Sequence, residues 1–483
     1  WMHMVYYDNE KKAEGFADKI SKNLISLSSL TYVGFNIWGN INNYAVGRIN
    51  NAIETIGGRY FEPEAMLRAT KTFQGAAMED IMKKMGDSST WAGITGGKGK
   101  YNKIIPGSKY NGLVNYFRMM DDKADIRESG KTGANKKLID FSWAYMFQDG
   151  AEYNVQTKVG IAILMSTKVQ KVDKDGTVLD EMSLYDAYQY NNKTGEVTLK
   201  DGYDTLVKRN GVKVKMDMTQ KADIRNNIRE VNKQIHGNYA DVDRAVIQEH
   251  WLGNLGMQFH KWVAPAFKAR YRNEYYDENL GWVEGRYKSA LSFMGFFYKE
   301  MFNVNKTIKR LEYEFGDERA ATKITGMKRT LAEIGLMFAS FVTATVLQSL
   351  FDDDEDGDKS IMRRRFENAL IYQFNRQGRE LQFFYPVVGF KEQFYMAKSP
   401  IAVTRTLGEM GDAFWKTIGT GLALGQGIVN EDYNIKSDSD VYYQRGYRKG
   451  QLKLAKEWAD IIPLLYTINR YRAYDTMTDF YVK

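Results

Sequence analysis

The stretch "GFNIWGNINNYAVGRINNAIETIGG", Gly34 to Gly58, decides how this chain is read. Ile37, Ile41, Ala45, Ile49, Ile53 and Ile56 recur every three or four residues, the spacing of one helical face. The other faces carry Asn and Gly in place of Lys and Glu, and no charged residue lies between Lys22 and Arg48. A surface helix of a soluble protein keeps charges on its outer side, so this helix is expected to be buried on most sides, in protein or against a membrane.

Working outward, helical spacing extends from about Lys11 to Gly150, broken by glycine-rich loops, and returns in "LIDFSWAYMFQDGAEYNVQTKVGIAILMSTK", Leu138 to Lys168. From Val169 to Met216 the texture changes to short runs of β-formers. The dipeptides Asp175-Gly176, Thr194-Gly195, Asp201-Gly202 and Asn210-Gly211 separate them, which is a hairpin pattern. Helical periodicity resumes near Gln220 and is expected to run to the end of the chain. Gly237 stands where the helix before it needs a C-terminal cap, and a long helix over 241–267 is expected to stop near Pro265. The fold class that follows is mainly α, a multi-helix assembly with a small β-rich insertion near the middle. Its parts are an N-terminal helical region over 1–168, the insertion over 169–219, and a C-terminal helical region over 220–483 with an apolar helix at 334–351.

The chain has 483 residues and a net charge of +8 spread among many acidic groups, which permits contact with nucleic acid or a membrane surface without requiring it. It has no cysteine, so disulfides, thiolate nucleophiles and cysteine-bound metals are excluded. Its six prolines compare with roughly two dozen at an average usage of about 5%. Few slow isomerisation steps then oppose refolding, which suits passage through a narrow channel and equally suits a plain helical protein. The start on Trp1, with no signal-peptide pattern, is expected of a piece of a longer precursor.

No catalytic motif is convincing. "GITGGKGK" fails as a phosphate-binding loop because Ala92 and Gly99 stand where Gly and Ser or Thr are needed. Asp352, Asp354, Asp356 and Gly357 fit the first half of a calcium loop, but Arg363 occupies the position of its bidentate Glu. The same "DEDGD" run superficially resembles polymerase metal-binding aspartates, without their β-barrel setting. None of His3, His236, His250 and His260 forms an i, i+4 pair. No catalytic, cofactor-binding or metal residues are therefore assigned, and no cofactor is expected.

The segment "IGLMFASFVTATVLQSLF", Ile334 to Phe351, is the best physical clue. Its 18 uncharged residues lie within the range of about 17 to 25 that spans a bilayer. Lys328 and Arg329 precede it and a run of aspartates follows. Ser340, Thr343, Thr345, Gln348 and Ser349 weaken insertion, so a core helix is the expectation for the folded state. In a second state Ile334, Leu336, Phe338, Phe341, Val342, Val346 and Leu350 would contact a membrane or channel. Trp38, Trp251 and Trp262 are expected to pack. Arg363, Arg364, Arg365, Arg445, Arg448 and Lys449 are the candidates for DNA or another acidic partner.

"IHGNYADVDRAVIQEHWLGNLGMQFHKWVAPAFKARY" and "YYDENLGWVEGRYKS" resemble a block in the large virion proteins of crAss-like bacteriophages. "SLYDAYQYNNKTGEVTLKDG", "LIYQFNRQGRELQFFYPVVGFKEQFYMAKSPIA" and "GFNIWGNINNYAVG" look similar to other parts of them, so the resemblance covers most of the chain from about Thr31. It implies a virion cargo or ejection protein, held in the capsid or tail lumen and delivered with DNA to the host envelope or cytoplasm. Its implied partners are portal, tail and other cargo proteins, the phage DNA, and the host membrane after ejection. A fixed portal or tail component, or a subunit associated with a virion RNA polymerase, are the alternatives.

Overall fold

The computed structural model describes residues 29, 37–86, 107–120, 146–173, 175, 177–208, 211–237, 263–278, 280–352, 361–385, 409–418, 442–444, 449–450, 452–455 and 458. The fold is mainly α-helical, with a small four-stranded antiparallel sheet in the middle of the chain.

The N-terminal helices are α1 (Ile37–Gly57), α2 (Pro63–Gly86), α3 (Lys109–Tyr116) and α4 (Met146–Ser166). Helix α4 lies at the centre of the main core. Its run "VGIAILM" is apolar on every side, and Val159, Ile161, Ala162 and Leu164 are fully buried, as a helix surrounded by protein requires. Around it gather Phe61 and Met66 from the start of α2, Leu113 and Phe117 from α3 and its end, and Ile224 and Ile228 from α6 (Met218–His236). The Ser108 hydroxyl accepts the Asn111 N–H to start α3, and the Asp217 carboxylate accepts the Gln220 N–H at 2.8 Å to start α6. Gly237 ends α6 at φ 92°, in the region open to glycine, as its position in the sequence predicts.

Between α4 and α6 the chain forms β1 (Lys168–Val172), β2 (Val178–Ser183), a single turn α5 (Leu184–Ala187), β3 (Tyr188–Tyr190), β4 (Val197–Leu199), β5 (Thr205–Val207) and β6 (Lys213–Lys215). The sheet order is β2-β1-β5-β6, and β3 and β4 form a separate hairpin. Val169 pairs with Leu206 and Met182, and its buried side chain fastens the sheet to the main core. The expected turn glycines Gly195, Gly202 and Gly211 all take positive φ and separate strands.

The C-terminal region contains α7 (Val263–Tyr271), the hairpin β7 (Tyr275–Asp277) and β8 (Gly281–Val283), α8 (Arg286–Lys299), α9 (Val304–Phe315), α10 (Asp317–Asp352) and α11 (Ile361–Gln382). Two expectations are corrected here. Pro265 does not stop a helix: α7 continues past it to Tyr271, while residues 241–262 of the expected helix lie outside the described residues. Helical structure is also interrupted by the hairpin of β7 and β8, whose strands carry Tyr275, Tyr276, Trp282 and Val283, with Gly281 opening β8 at φ 70°.

The opening stretch forms α1 as predicted, but the face it buries differs. Asn40, Asn42, Gly47, Asn51, Ile53, Glu54 and Gly57 are buried, while Ile41 and Ile56 are exposed. The small residues permit close packing: a Cβ at Gly47 would sit 2.9 Å from a Val155 methyl of α4. The asparagines are partly satisfied, Asn51 donating to the Val155 carbonyl and Asn42 to Glu380 of α11, each at 3.0 Å.

Candidate functional site

Helix α10 divides at Glu333 into two halves of opposite character. Along the first half, Arg319, Lys323, Arg329 and Glu333 turn to buried or half-buried partners on neighbouring elements. Glu333 has no exposed surface. Its Oε1 accepts from Arg270 Nε at 2.9 Å and Nη2 at 2.5 Å, and its Oε2 accepts from Arg286 Nε at 2.7 Å. Burial pushes the Glu333 carboxyl up, but the two guanidiniums outweigh it and hold the group down at about 2. Arg270 also donates to the Ala266 carbonyl and stacks 3.6 Å above the Phe384 ring, joining α7 to the end of α11.

The same half of α10 also holds α1 and the two ends of the β7–β8 hairpin. Arg329 donates to Glu54 of α1 through Nε at 2.8 Å and through Nη2. Lys323 donates to Glu284 at 3.0 Å and lies 3.5 Å from Glu274, while Arg319 grips Glu274 with Nε and Nη2. The Arg319 hydrogen bond leads the effects that lower the Glu274 carboxyl, against an opposing effect of burial. Glu333 and Glu274, held low by their partners, are ionised and already occupied at neutral pH, which suits them to holding elements together and poorly to proton transfer. Close approach accompanies the pairing. A Cβ on Gly326 would collide with the Ser289 side chain of α8, and Thr330 Oγ1 donates to the Arg286 carbonyl at 3.0 Å.

The second half of α10 is uncharged from Ile334 to Phe351. By length and composition this helix suffices to cross a membrane, and only 11% of its apolar window is buried. The expectation of a core helix is therefore corrected for this half. The residues assigned to membrane or channel contact separate into two sets. Ile334, Leu336 and Phe341 are half-buried, and Phe341 lies against Gly378 of α11. Phe338 (59% exposed), Val342 (60%), Val346 (49%) and Leu350 (61%) line the open side, continued toward the first half by Leu331 (56%). Met362 and Phe366 at the start of α11 are also exposed. Large apolar side chains concentrated on one helix face mark a contact surface.

Arg363, Arg364 and Arg365 share the first turns of α11, where Arg363 Nε donates to Glu367 at 2.8 Å. Lys449 is exposed in a turn at 449–450, and Arg445 and Arg448 lie outside the described residues. So do Trp251, Trp262, His3, His250, His260, the glycine-rich loop and all of the aspartate cluster beyond Asp352. Trp38 lies on α1 at a position whose side chain is not described. Among the described residues no group of three or more His, Asp or Glu side chains is arranged to hold a metal ion.

One lysine has a strongly shifted proton affinity: burial first, and Arg48 second, push Lys158 of α4 down to about 8. It donates to Asn154 at 2.6 Å and lies 4.6 Å from the centre of the Phe73 ring. Those contacts anchor it within the helical core. The ion pairs of α10 were not legible in the sequence, and the one signal for them is the spacing Arg319, Lys323, Gly326, Thr330, Glu333 along a single helical face.

Compared with known proteins, the chain matches no family model, no curated protein and no solved structure.

Proposed function

We propose that the chain is a non-enzymatic virion protein of a crAss-like bacteriophage, carried as cargo in the capsid or tail lumen and delivered to the host with the DNA. The observation that carries this reading is the uncharged, exposed face of α10 beyond Glu333, held out by a first half that is fastened to α1, α7, α8 and the β7–β8 hairpin. Such a face is unfavourable in water and gains free energy when covered, as in an assembly. The sequence resemblance gives the kind of assembly, and the paired carboxylates support a structural role over a catalytic one.

Quantitative mass spectrometry of intact particles beside particles that have discharged their DNA tests the reading. Depletion from the discharged particles is expected. Retention at full copy number would make the chain a fixed portal or tail component, and its absence from both samples would overturn the virion assignment.

A further inference from the structure

We propose that the corner between α8 and α9 docks on an anionic lipid surface, with Met301 and Phe302 entering the interface. This docking does not depend on the particle assignment, and vesicles with purified chain test it, so either reading can fail alone.

The corner is formed at a cost that its own contacts offset poorly. Helices α6 and α9 end at glycines, Gly237 and Gly316, in the positive-φ region. Helix α8 has no glycine at its end. There Met301 and Phe302 take φ 49° and 62°, two of the three non-glycine residues with positive φ among the described residues. That region disfavours any residue with a Cβ, and apolar side chains left in water add to the cost. Phe302 recovers part of it against Phe297 and Tyr298, with ring centres 5.4 and 6.0 Å away. Met301 is 88% exposed. The bend is closed by backbone hydrogen bonds, Phe302 N–H donating to the Phe297 carbonyl at 2.8 Å and Met301 N–H to the Tyr298 carbonyl at 3.1 Å. A firmly bonded turn therefore displays two large apolar side chains where glycine would be the easier residue.

Three features select a lipid surface. First, Tyr298, Met301, Phe302 and Val304 are all exposed around a turn of four residues joining two helices. Such a tip can enter the yielding headgroup layer without a matching groove, and a tyrosine with its polar end suits that layer.

Second, the charges around the tip are cationic. Lys299, Lys306, Lys309 and Arg310 are exposed, and within 298–310 the opposing carboxylate is Glu300, which is half-buried. Arg310 is taken by Glu314 at 2.8 Å, which leaves the three lysines. The other acids of this region, Glu312, Glu314, Asp317 and Glu318, begin about 12 Å beyond Val304 along α9 at 1.5 Å per residue. Lysine stems lie along apolar side chains while their ammonium groups reach lipid phosphates.

Third, the tip can enter without unfolding. Phe293 and Leu311 hold the helix pair to Ala320 of α10 from its buried side. The start of α9 is capped, Asn303 Oδ1 accepting the Lys306 N–H at 3.0 Å and the Asn303 carbonyl accepting from Thr307 Oγ1 at 2.7 Å. Fewer polar groups are then left to lose water on docking.

The chain has no cysteine, so Met301→Cys and Leu350→Cys each carry a single polarity-sensitive fluorophore on the full chain. Vesicles of equal parts phosphatidylcholine and phosphatidylglycerol are expected to blue-shift the label at 301 and leave the label at 350 unchanged. A shift at 350 with none at 301 would place the membrane contact on α10 and overturn the proposal. Vesicle flotation gives a second readout. Met301→Gly, which suits the left-handed backbone, is expected to keep or raise the urea midpoint while weakening binding at least about tenfold, the loss of one buried Met side chain. A merely structural corner would not weaken binding while stability holds or rises. Lys306→Glu combined with Lys309→Glu is expected to abolish the preference for these vesicles over phosphatidylcholine alone. Equal binding of the wild-type chain to both vesicles, binding to neither, or self-association that blue-shifts the 301 label without vesicles would each overturn the proposal.

Discussion

At the scale of single residues, Glu333 holds the most consequential position. It is a fully buried carboxylate shared by two buried arginines from different helices. Removing one partner of such a set leaves uncompensated charge in the interior, with a loss of about 3 to 5 kcal/mol. Glu333→Gln, which keeps the shape and removes the charge, is expected to lower the unfolding free energy by that order in urea titration at pH 7. An unchanged midpoint would show that the arginines find solvent or other acceptors. The pH dependence follows from the direction of the shift. Glu333 is held well below its unfolded value of 4.5, so its contribution is complete above that value and is lost as pH falls toward about 2. The stability gap between wild type and Glu333→Gln should therefore be flat from neutral pH to about 5 and narrow steadily below it. A gap that stays constant down to pH 2.5 would contradict the assignment.

At the scale of elements, α10 carries two glycines with opposite requirements. Gly326 lies where a Cβ strikes the Ser289 side chain, and Gly335 lies in open space. Gly326→Ala is expected to destabilise by about 1 to 3 kcal/mol because α8 and α10 must move apart. Gly335→Ala is expected to stabilise the dilute chain by about 0.5 to 1 kcal/mol through helix propensity. Urea titrations of both variants check the pair, and equal effects of the same sign would contradict the division of the helix.

Much at this scale was legible in the sequence. The helical spacing of α1 and α4, the turn glycines of the insertion and the Gly237 cap are local signals, and local signals survive without tertiary context. Which face of α1 is buried was not legible. Its isoleucines follow the apolar spacing, yet close contact with α4 and α10 favours the Gly, Asn and Glu face. Likewise the apolar run of α10 reads as a core helix until the elements around it are known to leave one side open.

At the scale of the whole molecule, a main core around α4 is joined to the C-terminal helices through a line of buried charges along α10. Arg329 and Glu54 are 275 residues apart in sequence, and no periodicity links such partners. The contact surface depends on this arrangement, because the fastened half of α10 presents the other half outward. The sequence could mark the apolar segment as unusual but not the side from which it is reached.

On the proposed virion reading, the most direct measurement is the amount of chain packaged per particle for three forms: wild type, a Phe338→Glu/Val342→Glu double variant, and Leu291→Glu, a control at an exposed apolar position on α8. The account predicts packaging of the control near the wild-type level and of the double variant at a small fraction of it, with both variants folded as judged by urea titration. Equal packaging of all three would contradict the claim that the open face of α10 is the surface through which this protein joins its assembly.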